Sequence, residues 1–131
     1  MILDTGVLVK TGRGRLDVAS LGDQDELAVP AVVIAEYLGG IGLDPDPVRR
    51  ASQRGYLDEL LTVIPVVDYT RHVAEHHAAL MGHVRRSGRP RGAHDLIIAA
   101  SARATDRMLL TTDARARFDE LPDVSVRVLK V

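Results

Sequence analysis

The sequence predicts an α/β protein, a three-layer α/β/α sandwich around a mostly parallel central sheet of about five strands. Three observations predict it. Short apolar runs of strand length alternate with longer stretches of helical period, and glycine and proline punctuate their junctions. The chain has 131 residues, 46% of them hydrophobic, which suits one core and one domain over 1–131. Strands separated by helices favour parallel pairing, with both faces of the sheet covered.

Each element has its own reason. Residues 1–4 read as a short buried strand, and 5–10 as a brief helix stopped by the Gly12 and Gly14 pair. Residues 16–21 supply a further helical turn. A second strand over 27–29 is closed by Pro30, which also suits entry to a helix over 31–39 ending in glycines. Pro45 and Pro47 break the next connection, and 48–61 shows apolar residues at helical spacing. Residues 63–67 are β-branched and form a third strand despite Pro65. Thr70 caps a long helix reaching Val84, and 85–92 is a loop rich in Arg and Gly. Then come an apolar helix over 94–104, a fourth strand over 108–111, a short helix over 114–118 and a fifth strand over 124–129.

Composition removes several function classes. Charged residues make up 27% and the net charge is −1, so no global basic field points to a nucleic acid. Only four aromatic side chains occur, too few for a base-stacking platform. The absence of cysteine excludes disulfides, thiolate catalysis and cysteine-ligated zinc, and fits a cytoplasmic setting. No apolar run approaches the roughly 18–20 residues needed to span a bilayer, and no secretory signal opens the chain, so no membrane partner is expected.

Four acids stand where such a fold gathers ligands, beyond the carboxyl ends of its strands. Asp4 ends the first strand, Asp113 follows the fourth, Asp95 opens an apolar helix, and Glu36 lies inside a helix that is apolar nearly all round. Asp4, Asp95 and Asp113 each also read as a helix N-cap, and Glu36 as half of an arginine salt bridge. Taken together, the acids would repel one another unless a cation sat among them. Oxygen-only ligands suit Mg²⁺ or Mn²⁺, which activate water and stabilise charge on a phosphodiester.

These residues carry a resemblance. MILDTGVL (1–8), AVVIAEYLGG (31–40), RGAHDLIIAASA (91–102) and LLTTDARARF (109–118), in that order and spacing, resemble PIN-domain ribonucleases, in particular the VapC-type toxins of bacterial toxin–antitoxin pairs. The resemblance covers essentially the whole chain. It implies that Asp4 and Asp95 are the principal metal ligands, with Glu36 and Asp113 completing a catalytic cluster. It further implies Mg²⁺- or Mn²⁺-dependent cleavage of structured RNA, in tRNA or rRNA loops, a homodimer, and a small VapB-like antitoxin. Two positions depart from the family pattern. Gly6 replaces a residue that often bears a hydroxyl or amide, and Arg115 stands where many members have a further acid. The pattern therefore does not call for a strict two-metal mechanism.

Thr5 and Thr111 or Thr112 are candidate donors holding Asp4 and Asp113, or else ordinary turn residues. Arg85, Arg86, Arg89 and Arg91 precede Asp95 and could grip RNA phosphates, as could Lys10, Arg13 and Arg15; a solvated surface explains them equally. His72 and His76 lie at i, i+4 without a third ligand, so an exposed helix face is favoured. His94 adjoins Asp95 and either meets substrate or is a plain surface residue.

Two other readings remain. A PIN-like binding module would use its acids only as caps. A phosphotransfer protein would want an acidic neighbour for Asp4 or an Asp-x-Asp, where this chain has Asp4-Thr5-Gly6. The apolar face of 48–61 could hold an antitoxin segment, though packing on the sheet is its plainer use.

Overall fold

The computed structural model describes residues 1–22 and 26–130. Five short strands, β1 (Ile2–Leu3), β2 (Val29–Pro30), β3 (Val66–Val67), β4 (Leu109–Thr111) and β5 (Val126–Val128), alternate with helices. The helices are α1 (Thr5–Gly12), α2 (Ala31–Ile41), α3 (Pro47–Leu60), α4 (Arg71–Ser87) and α5 (Ala93–Ala104).

All pairings are parallel. β1 pairs with β4 and β4 with β5, while β2 pairs with β3. A bridge between Ile2 and Ala28, with the Leu3 N–H on the Ala28 carbonyl at 3.0 Å, joins the two groups. The order across the sheet is therefore β3-β2-β1-β4-β5. Consecutive strand residues point to opposite faces, yet Ile2, Leu3, Leu109 and Leu110 are all fully buried. Helices must then cover both faces, which is the sandwich the apolar runs predict.

Local chemistry explains most element ends. Asp4, Asp46 and Thr70 cap α1, α3 and α4, each accepting a backbone N–H. Pro47 occupies the first turn of α3, where its missing N–H costs nothing. Gly88 stops α4 at a φ of 67°, the left-handed region a glycine enters freely.

Several expected boundaries move. Helix α4 runs three residues past Val84, so Arg85 and Arg86 lie on its last turn rather than in a loop. Helix α2 continues through Gly39 and Gly40. Residues 63–65 are not strand, and the short helix over 114–118 is two 3-10 turns, Ala114–Ala116 and Phe118–Glu120. Arg117 separates these turns at a φ of 51°.

Candidate active site

The order β3-β2-β1-β4-β5 changes direction between β1 and β4, so their carboxyl ends frame a crevice. Asp4 follows β1, and Thr111 ends β4 directly across from it. The Thr111 hydroxyl donates to Asp4 Oδ2 at 2.7 Å and accepts from the Asp113 N–H at 3.0 Å. One side chain thus ties two acids from distant parts of the sequence. Thr5 does the same for another pair. Its N–H donates to Asp4 Oδ1 at 2.8 Å, and its hydroxyl donates to Glu36 Oε1 at 2.7 Å.

Of the expected threonine donors, then, Thr5 and Thr111 act on the acids. Thr112 does not: its hydroxyl lies over Gly6, where an added Cβ would come within 2.8 Å. Gly6 therefore clears room at the start of α1, beside the acid that caps it.

The alternative reading of Asp95 as a helix cap does not hold. Gly92 holds the N-cap position of α5, and Asp95 is the third helical residue. Its carboxylate fronts two neighbouring clefts. One, of about 340 Å³, also takes in Glu36 and His94. The other, of about 420 Å³, is shared with Asp113. Glu36 is not sealed among apolar neighbours either. Its side chain is 31% exposed and lies 3.4 Å from His94 Nδ1 instead of meeting an arginine.

Burial lifts the Asp4 carboxyl above its usual range, against the hydrogen bonds from Thr111 and Thr5, and the charges of Glu36 and Asp113 lift it further. Burial raises Asp95 as well, with the charges of Asp4, Glu36 and Asp113 adding to it and His94 opposing. Among the described residues no Lys or Arg reaches Asp4, Glu36, Asp95 or Asp113 at ion-pair distance. Nor are any three Asp, Glu or His side chains there drawn up into a ready metal cage. The donor set is all oxygen, converges on one sheet end and has no Lys or Arg paired to it among the described residues, which fits Mg²⁺ or Mn²⁺.

The cations divide. Arg89 and Arg91 line the cleft with Asp95 and Asp113, whereas Arg85 and Arg86 do not. Arg86 folds back over Gly82 on its own helix. Arg91 is largely buried and donates to the Ala116 and Arg117 carbonyls and to Glu120, so it is a structural clamp and not a free phosphate ligand. Lys10 sits in the last turn of α1, and Arg13 and Arg15 lie beyond it, although Asp4 caps the other end. Arg13 and Arg15 instead line a separate cleft of about 520 Å³ with Asp44 and Arg49. Arg115, which the sequence marks only as a departure from the family pattern, and Arg117, to which it gives no role, line the acidic cleft. Their position two and four residues after Asp113 was the available signal.

His72 and His76 stack edge to face at 4.7 Å, and His72 Nε2 meets the Ala104 carbonyl at 3.1 Å. They form part of the α4–α5 packing.

A fold with this parallel order and four acids at its crossover has a matching family. The PIN domain family model covers residues 1–124, and the chain belongs to that family. It is similar to a ribonuclease VapC of Rickettsia bellii, 22% identical over 96% of this chain and 93% of the relative. A tRNA(fMet)-specific endonuclease VapC of Shigella flexneri is 25% identical, over 87% of this chain and 86% of its own. Among solved structures, VapBC2 from Rickettsia felis, bound to a DNA fragment from its promoter, superposes with a TM-score of 0.84 at 20% identity, covering 98% of both chains.

Proposed function

We propose that this protein is a divalent-metal-dependent endoribonuclease, the toxin of a VapBC-type pair, that hydrolyses phosphodiester bonds in structured RNA. The observation that carries the reading is the convergence of Asp4, Glu36, Asp95 and Asp113 on the crossover of a parallel sheet, with no Lys or Arg paired to them among the described residues. The names of the Rickettsia bellii and Shigella flexneri relatives support ribonuclease activity, and the second supports tRNA as the substrate class.

Asp4 and Asp95 would be the principal holders of Mg²⁺ or Mn²⁺, with Glu36 and Asp113 beside them. When bound there, the ion would supply Lewis-acid stabilisation of a phosphodiester and a more acidic water. The chain's own work is positioning. Thr111 and Thr5 fix both oxygens of Asp4, so the carboxylate cannot swing away from the cleft. Thr5 at the same time orients Glu36, and the Arg115 N–H fixes Asp113 at 2.9 Å. His94, 60% exposed beside Glu36, stands where a substrate strand would pass.

The solved relatives assembled as VapBC support a small antitoxin as partner. A homodimer belongs to the same reading. Among the described residues no helix is long and apolar enough to cross a membrane. The test is cleavage of a bulk tRNA pool with Mg²⁺ or Mn²⁺ by wild type, Asp4→Ala and Asp95→Ala. Metal-dependent cleavage by wild type alone supports the proposal. Equal activity in all three, or none in wild type, overturns it and leaves a binding module.

A further inference from the structure

The cleft that Asp95 and Asp113 share holds four arginines, and their partners differ sharply. Arg89, Arg91 and Arg117 all reach one carboxylate, Glu120, at 3.4, 2.8 and 2.6 Å. Three guanidinium groups on a single acid leave this part of the cleft with excess positive charge. Arg115 has no acid at ion-pair distance among the described residues, and it is exposed. Its backbone is nevertheless anchored, because its N–H donates to Asp113 Oδ1 at 2.9 Å. Asp113 therefore holds the main chain of Arg115 and leaves the guanidinium unclaimed.

We propose that Arg115 is a substrate-binding residue of this cleft, taking a phosphate of the RNA strand next to the bond that lies over Asp95 and Asp113. The inference deepens the nuclease reading and rests on it for the identity of the strand. A guanidinium presents a planar fork of donors that matches two phosphate oxygens, and an unpaired one need not first give up a carboxylate. Arg89 and Arg117 must share Glu120, and Arg91 is pinned to two carbonyls, so none of them offers the same unspent fork. The acidic residues would repel a polyanion, and a cation fixed two residues from Asp113 offsets that repulsion where the strand must approach.

The test is binding of a labelled single-stranded RNA oligonucleotide across a salt series, without divalent metal. It compares wild type, Arg115→Ala, Arg115→Lys and, as a remote control, Arg71→Ala, whose side chain meets Glu75 on the surface of α4. Arg115→Ala should weaken binding roughly five- to tenfold and lower the slope of log K against log salt by about 0.7. Arg115→Lys should restore the slope and only part of the affinity. Arg71→Ala should match wild type. If Arg115→Ala binds with the wild-type affinity and slope, or Arg71→Ala loses as much, the assignment is wrong. The two proposals fail separately. Wild type that cuts no RNA while Arg115→Ala still loses affinity and slope removes the nuclease reading and keeps the phosphate contact. Cleaving wild type with an Arg115→Ala that binds normally does the reverse.

Discussion

Two parts of one crevice hold charge in opposite ways. Around Asp4, carboxylates from four stretches of chain gather with hydroxyls and amides between them but no Arg or Lys among the described residues. Around Glu120, three arginines crowd a single acid and a fourth lies nearby without one. Other exposed charges form simple pairs, as in Arg54–Asp58 and Arg71–Glu75. Exposed pairs of that sort contribute little stability and carry no message. Unmatched charge held in place by hydrogen bonds is different, because folding gains little from it. On the proposed reading, the acids would be complementary to a divalent cation and the arginines to a phosphate.

The largest effect that would break this contrast is on catalysis. Asp4→Asn keeps an N-cap residue but removes the buried charge, so RNA cleavage should fall by at least about 10³-fold. The same variant should melt higher by roughly 2–5 °C in metal-free buffer, since repulsion with Glu36 and Asp113 is relieved. A lower Tm would mean that the hydrogen bonds Asp4 accepts from Thr5 and Thr111 outweigh that repulsion. Next in size, Mn²⁺ at a hundredfold excess over its Kd should stabilise wild type by about 2.7 kcal/mol, on the order of 10 °C in a thermal melt. Smaller again, Arg91→Ala should cost about 2 kcal/mol in chemical denaturation, because it strands the Ala116 and Arg117 carbonyls. Arg115→Ala should stay within about 0.5 kcal/mol in the same experiment, which separates the clamp from the free cation.

The smallest effect is on pH dependence. Asp4 and Asp95 bind their protons more tightly folded than unfolded, so their contribution to stability is full below the ordinary carboxylate range. It is lost as pH rises through their raised values. Asp44 and Glu120 are shifted the other way by their arginines and contribute stability above that range. The Tm of Asp4→Asn minus that of metal-free wild type isolates Asp4 from these, and it should grow between about pH 4 and 7. A flat difference would contradict the raised carboxyl.

The acids, all five strands and the parallel order were legible because they rest on short-range signals. Apolar runs mark buried strands, and an acid following such a run marks the carboxyl end of the sheet. Partners were not legible. Nothing local says that Thr111 turns to Asp4 across 107 positions while Thr112 turns to Gly6. Arg91 looked like its exposed neighbours, yet Glu120 and two carbonyls bury it. Arg13 seemed close to Asp4 by number, but a helix of eight residues, about 12 Å long, separates them. Arg115 was noted only as a departure from a family pattern, and its unpaired state became visible once the neighbouring arginines were seen to share Glu120.

Isothermal titration of metal-free protein with Mn²⁺, in wild type, Asp4→Asn and Asp95→Asn, tests the central claim most directly. Saturable binding by wild type that both substitutions abolish is the predicted result. No binding by wild type, or equal binding by all three, would show that these carboxylates do not gather around an ion.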